Sequence, residues 1–308
     1  MMESRDLEES IVKLIKADNN SNKIIISVII VTYNTTELKD CLKSLENQTF
    51  KDFEVIIVDN GVIGEEVFKA KSYLYPIAFI KLRSNLGLSF ARNVGIIHAR
   101  GEICSFLDDD SIASERYVES IRNAFNYYDI IGLRGRAFPK NKRKIINKLA
   151  VNYDLGDVIF PFVINQEGNS AFLKEVLIKV GGFNKDLFGG EGLELTYRII
   201  NMPQDRNKLV YFPDTIIYHD FARSLSHYLI KMYRHSSIFA KFKKQSPEIY
   251  ALRESYDAFL NHKLTIRNEP EKIIDKILLR CIKVLGTATW LIGELMSRSL
   301  YYFKYCFF

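Results

Sequence analysis

From Ile24 to Leu107 the chain alternates short β-branched runs with segments whose apolar residues recur at helical spacing, and this alternation narrows its fold more than any other feature. Ile26-Ser27-Val28-Ile29-Ile30-Val31 reads as a buried strand, and Glu37 to Leu45 as a helix with Leu38, Cys41, Leu42 and Leu45 on one face. Phe53 to Val58 predicts a second strand, Ile77 to Leu82 a third, Leu88 to Ala99 a helix, and Ile103 to Leu107 a fourth strand. Continuously apolar strands separated by helices predict an α/β fold with a mostly parallel, Rossmann-like sheet covered by helices on both faces. Ligands of such sheets bind beyond the carboxyl ends of the strands, near the point where strand order reverses. Tyr33-Asn34, Asp59-Asn60 and Asp108 to Asp110 all follow strand ends, so three polar clusters are expected on one rim.

The third cluster carries the most chemistry. Phe106-Leu107-Asp108-Asp109-Asp110-Ser111 brings three carboxylates to one strand tip. Crowded carboxylates repel and raise one another's pKa, and they stay ionised comfortably when a cation shares the site. The triplet therefore reads either as a divalent-metal site or as a polar turn.

Beyond Asp110 the pattern changes. A helix is expected from about Ser114 to Asn126, a strand from Ile130 to Phe138, and then a basic loop and an aromatic-rich stretch to Phe162. Gly168 to Phe172 reads as a strand, followed by a short helix, a break at Gly181-Gly182 and a helix from about Gly190 to Ile200. Val210 to Phe212 and Thr215 to Tyr218 read as short strands before His219. In residues 224–243, and again from Ile274 to Leu295, apolar residues form helical stripes. The longest uncharged run there, Val284 to Gly293, is about half of the roughly 20 residues a bilayer span requires. That helix is expected to lie in a membrane interface, to pack on the globular domain or to dimerise; the aromatic and basic ending Leu300 to Phe308 favours the interface.

Composition adds limits rather than identity. The 308 residues are 47% hydrophobic and 26% charged, as in an ordinary globular protein, and the four cysteines show no metal-type spacing, which suits a reduced, cytoplasmic chain. Residues 1–22 mix charges before any apolar stretch and read as a flexible, solvated leader rather than a secretion signal. The net charge of +6 is unevenly spread: Arg134, Arg136, Lys140, Lys142, Arg143, Lys144 and Lys148 form one cluster, and Arg223, Lys231, Arg234, Lys241, Lys243 and Lys244 another. Such clusters suit a phosphate-bearing ligand or an anionic membrane, or are solvated faces; no nucleic-acid partner is expected.

Taken in order, these motifs resemble family 2 glycosyltransferases of the GT-A fold. The matching residues are Ser27 to Asn34, Val55 to Asn60, Asn85-Leu86-Gly87 with Ala91-Arg92-Asn93 and Gly95, and Phe106-Leu107 with the aspartate triplet. Gly168-Asn169, Gly181 to Asn184, Gly189-Gly190-Glu191, Glu194-Leu195 and Arg198 follow, so the resemblance covers roughly residues 26–220. It implies a glycosyltransferase domain over 23–222, and the helical stripes beyond it are expected to form an extension over 223–308, peripheral on the cytoplasmic face of a membrane. It also implies metal-dependent, inverting transfer from a nucleotide-diphosphate sugar, a UDP-sugar above all, to a hydroxyl of a glycan or lipid-linked acceptor. Thr32, Tyr33, Asn34 and Asp59 match positions that hold base and ribose, and Asn85, Gly87, Arg92 and Asn93 match positions that approach the nucleotide or diphosphate. Asp108 and Asp109 fall on the nucleotide-sugar side, and Asp110, with Asp108 and His219, on the Mn²⁺ or Mg²⁺ side.

One departure stands on the acceptor side. Relatives typically carry Glu-Asp ahead of the helix, with the Asp as base, whereas this chain has Glu191-Gly192. Glycine cannot take a proton, so Glu191 is the expected replacement and Glu194 the second choice. The alternative is a non-catalytic nucleotide-sugar-binding or scaffold protein. A sugar-phosphate nucleotidyltransferase is disfavoured, because Tyr33-Asn34-Thr35-Thr36 stands where its glycine-rich loop would be.

Overall fold

Successive residues of the first long strand enter opposite cores: Val28 and Ile30 join the cluster of Leu38, Leu42, Tyr117 and Ile121, while Ile29 joins that of Val94, Ile96, Leu177 and Leu195. Burial on both faces is what an uninterrupted apolar run requires, and each such isoleucine contributes about 1.5–3 kcal/mol. The computed structural model describes residues 4–17, 23–33, 36–61, 73–150, 152–202, 208–264 and 273–296. In chain order these form α1 (Ser4–Glu9), β1 (Ile11–Ala17), β2 (Ile26–Thr32), α2 (Leu38–Glu46), β3 (Phe53–Asp59), β4 (Ile77–Leu82), α3 (Leu88–His98) and β5 (Ile103–Leu107). There follow β6 (Ile112–Ala113), α4 (Tyr117–Tyr127), β7 (Gly132–Phe138), a 3-10 turn (Ile145–Leu149), β8 (Phe160–Pro161), β9 (Asn169–Leu173) and α5 (Lys174–Lys179). The chain continues with α6 (Glu191–Ile200), β10 (Leu209–Tyr218), α7 (Leu225–Gln245), α8 (Pro247–Leu264) and α9 (Ile273–Leu295).

The sheet runs β1-β4-β3-β2-β5-β9-β7-β10-β6, with β8 on β10. Its β4-β3-β2-β5 portion is parallel, as predicted, whereas β9 lies antiparallel to both β5 and β7, so the whole is mixed. Chain order reverses at β2, between β3 and β5, and the tips of β2 and β5 therefore flank the crevice where ligands of such sheets collect. Helix α3 lies close on β2 because residue 95 is glycine; a Cβ there would sit 2.4 Å from Ile29 Cγ2.

Two expectations are corrected. Residues 4–17 are no solvated leader: α1 buries Leu7, and β1 pairs antiparallel with β4. Lys13 and Lys16 lie on this edge strand, where charge blocks pairing with other chains. The two short strands before His219 are one strand, β10, whose register against β7 shifts between Tyr211 and Ile216 around Pro213, a residue sheets tolerate at bulges. Within the expected helical extension, α8 serves two partners: Ile249 packs with Leu187 and Leu193, and Tyr256 with Leu155 and Tyr211.

Helices α7 and α9 pack closely through Gly286, opposite Tyr228, and Gly293, where Ser237 Oγ donates to the glycine carbonyl at 2.8 Å. The opposite side of α9 exposes Ile274, Ile277, Val284, Leu291 and Leu295. No helix among the described residues is long and apolar enough to cross a membrane. The ending Leu300 to Phe308 lies outside the described residues.

Candidate active site

The aspartate triplet lies at the tip of β5, and its three members have separate surroundings. Asp110 meets His219, which follows β10, with Nε2 3.1 Å from Oδ1, and Arg223, with Nη2 3.2 Å from Oδ2. Against the upward push of burial, these two partners hold the Asp110 carboxyl far below the usual carboxylate range. Asp109 faces Thr32 and the Tyr33 backbone; burial, then Asp110 and Asp108, push its carboxyl up to about 7. Asp108 packs on Gly168 so closely that a Cβ there would fall 1.9 Å from Oδ2, and its Oδ1 is 3.8 Å from Arg92 Nη2.

Ligand atoms of Asp108, Asp110 and His219 lie within 4.8 Å of one another, a hard-oxygen set with one imidazole that fits a divalent cation. Tyr153 supports the histidine, its Oη 2.9 Å from Nδ1. For Nε2 to ligate a metal, Nδ1 must carry the proton and donate it to that oxygen, which fixes both tautomer and ring orientation.

Beside the cluster opens a cavity of about 390 Å³. Asp108 and His219 line its inner side, and Arg92, Glu167 and Glu191 line it with Lys231, Arg234 and Arg253 from α7 and α8. Helices beyond residue 223 thus complete the site. Arg92 is buried, stacks over Phe183 at 5.2 Å, and has no hydrogen-bond partner for Nη1 among the described residues. An unpaired, buried guanidinium nitrogen is costly unless an anion completes it. Lys231, above the Phe221 ring at 4.2 Å, is pushed down to about 8 by burial and by Arg234.

The other expected residues divide between site and scaffold. Thr32 and Asp59 are buried at neighbouring strand tips, with Asp59 Oδ1 accepting from Gly61 N at 2.9 Å. The Tyr33 ring covers Gly61, where a Cβ would lie 2.4 Å from Cδ2. Asn34 lies outside the described residues. Asn85 Oδ1 accepts from Asn60 Nδ2 and Gly87 N, both at 3.0 Å, shaping the turn into α3 whose Gly87 takes φ +90°. Asn93 clamps the loop before α6, donating to Phe183 O and accepting from Phe183 N, both at 2.8 Å, so its amide is spent on the scaffold.

On the acceptor side, Glu191 lines the cavity, with Oε1 accepting from Gly189 N at 2.8 Å. Glu194 is absent from the lining. Its carboxylate binds Arg198 Nε and Nη2 at 2.8 and 2.7 Å, and Arg198 in turn donates to the carbonyls of Val180 and Gly182. Glu167, which the sequence reading did not single out, also lines the cavity and accepts from Gly192 N. Much of the basic loop is satisfied internally: Arg136 by Asp154 and Asp157, Lys140 by Glu37, and Lys144 by Asp220.

Comparison with known proteins gives the family and the fold. The family described as Glycosyl transferase family 2 matches residues 27–184. EpsH of Bacillus subtilis (strain 168) is 29% identical over 255 residues, covering 78% of this chain and 70% of EpsH. Seven further curated relatives align over only 14–40% of their own length. Among solved structures, the mannosyltransferase PcManGT from Pyrobaculum calidifontis, in complex with GDP-Man and Mn²⁺, superposes with a TM-score of 0.57 at 16% identity, over 91% of this chain and 88% of that one. S. aureus TarS 1-349 in complex with UDP-GlcNAc gives 0.52 at 17% identity, over 89% and 92%. These likenesses establish the GT-A fold.

Proposed function

The chain belongs to glycosyl transferase family 2, and from that premise we propose that it moves a hexosyl group from a nucleoside diphosphate to a hydroxyl of a glycan or lipid-linked acceptor, with inversion. The observation that carries this reading is the meeting of the Asp108–Asp110–His219 cluster with Arg92 Nη1, which has no partner among the described residues, at the cavity beside them. Departure of a diphosphate requires its growing negative charge to be met, and a preorganised cationic site does so without solvent rearrangement. Asp110, Asp108 and His219 would hold Mn²⁺ or Mg²⁺, which when bound supplies Lewis-acid stabilisation of the leaving oxygens. Arg92 pairs with the diphosphate or the sugar, while Thr32, Tyr33 and Asp59 take the base and ribose. PcManGT holds GDP-Man and TarS holds UDP-GlcNAc. We take UDP as the nucleotide here, with Asp59 accepting from the ring N–H.

The test is a thermal-shift screen of UDP- and GDP-sugars with and without Mn²⁺. A donor bound only with metal raises Tm in the wild type and not in Asp110→Ala. No metal-dependent shift with any donor would remove the reading. The rival of a non-catalytic sugar-nucleotide binder predicts the same shift without nucleotide release, and turnover separates the two.

A second reading concerns location. The exposed stripe of α9 is flanked by Arg280 and Lys283, a pattern that suits the interface of an anionic membrane on the cytoplasmic side. Vesicles containing anionic lipid should retain the chain at low salt and release it at high salt; equal recovery with and without vesicles would discard this placement.

A further inference from the structure

Residue 192 is glycine where the family pattern places its base, and the space beside it is filled. A Cβ at Gly192 would lie 2.3 Å from Glu167 Oε1 and 2.8 Å from its Cδ. The Glu167 carboxylate therefore occupies the position from which any side chain at 192 would start. It is held there by the Gly192 N–H, which donates to Oε1 at 2.5 Å. Resting on the transferase reading above, we propose that Glu167 is the general base of this enzyme, delivering from the loop before β9 the carboxylate that position 192 lacks.

The placement satisfies what a base needs. Glu167 lines the cavity together with Asp108, Arg92 and Glu191, so it faces the space open to an acceptor. Its chain neighbour Gly168 is in contact with Asp108, and Asp108 N donates to Gly168 O at 3.4 Å, which ties the base to the metal cluster through one residue. Burial, then the nearby Glu191 charge, raise the Glu167 carboxyl above its ordinary value, and Arg92 opposes them. A carboxylate of raised basicity takes up a proton more readily at neutral pH. Glu191 has a different employment: bound to Gly189 N, it is the neighbouring charge that keeps Glu167 basic, a positioning residue. Glu194 is committed to Arg198.

In the step itself, the acceptor oxygen forms a bond to the anomeric carbon as Glu167 takes the proton from that oxygen. The bond between the anomeric carbon and the diphosphate oxygen breaks, and its electron pair leaves with the diphosphate. The protonated Glu167 returns its proton to solvent after product release.

The experiment compares wild type, Glu167→Gln, Glu167→Ala and Glu191→Gln in nucleoside diphosphate release from a panel of UDP- and GDP-sugars with Mn²⁺, water or azide serving as acceptor. Glu167→Gln should lower kcat by at least about 100-fold, with donor affinity within about threefold of wild type. Glu191→Gln should keep kcat within about tenfold and shift the pH profile to lower pH. Azide, an anion that attacks without giving up a proton, should restore Glu167→Ala and form a glycosyl azide. The proposal is overturned if Glu167→Gln turns over at the wild-type rate, or if Glu167→Ala binds donor and metal but gains nothing from azide. A wild-type chain that cleaves no donor overturns the transferase reading itself, a result distinct from either.

Discussion

Replacing Tyr153 with Phe removes one oxygen and little else, and so isolates the support of His219. The ring is buried and packs edge-on against Phe221 at 5.7 Å between centroids, contacts that phenylalanine retains. What disappears is the partner of His219 Nδ1, 2.9 Å away. A neutral hydrogen bond is worth about 1 kcal/mol net, and a stranded buried donor costs about 1–3 kcal/mol. In the metal-bound state Nδ1 carries a proton, so the loss falls on metal binding. Loss of such a support typically weakens metal affinity about 10–100-fold, about 1.4–2.8 kcal/mol, which lies within that cost of a stranded donor. Mn²⁺ titration followed by electron paramagnetic resonance, with UDP present, should show that weakening, while kcat at saturating Mn²⁺ falls less than about threefold. A Kd within twofold of wild type would refute the role of Tyr153, and so would a kcat deficit that excess Mn²⁺ cannot correct.

Further predictions follow from the same packing. Asp109 is pushed up to about 7, so its ionisation opposes folding as pH rises from about 4 through 7, by up to about 4 kcal/mol in metal-free protein. Asp109→Asn should therefore raise Tm at pH 8 and leave it unchanged at pH 4; equal Tm at both values would contradict this. Asp110 has the opposite sign: its carboxyl is depressed, so its stabilisation is present above the ordinary carboxylate value and fades as pH falls below about 4, a fading that Asp110→Asn should abolish in acid titrations followed by circular dichroism. Gly168→Ala drives a methyl into Asp108 and should cost about 1–3 kcal/mol in urea unfolding, with weakened Mn²⁺ binding as well. Glu194→Ala strands Arg198 and should lower stability by about 1–3 kcal/mol, while donor affinity measured calorimetrically stays within threefold.

How far the site could be read from the sequence depends on where each residue finds its partner. Asp108 to Asp110 and Asp59 were legible because a strand end fixes their location whatever the rest of the chain does. His219 was legible for the same reason. Asn85 and Asn93 have the chemistry of ligand-binding residues, but one shapes a turn and the other clamps Phe183 across 90 positions of sequence, a distinction only space reveals. Glu167 escaped notice because its meaning lies in its contact with Gly192, 25 residues on. The available signal was the absence itself: a missing acid at 192 should prompt a search for another acid near Gly168-Asn169. The internal pairing of the basic loop was hidden for a related reason, since Glu37 and Asp220, which pair with Lys140 and Lys144, are distant in sequence.

The central claim is that the tips of β5 and β10 assemble a metal–diphosphate site. Anomalous diffraction from crystals of the protein grown with Mn²⁺ and UDP tests it most directly. A peak is predicted about 2.0–2.3 Å from an Asp110 carboxylate oxygen and from His219 Nε2, with diphosphate density on its open side toward Arg92. A manganese peak bound elsewhere, or UDP seated with no metal between its phosphates and Asp110, would contradict it.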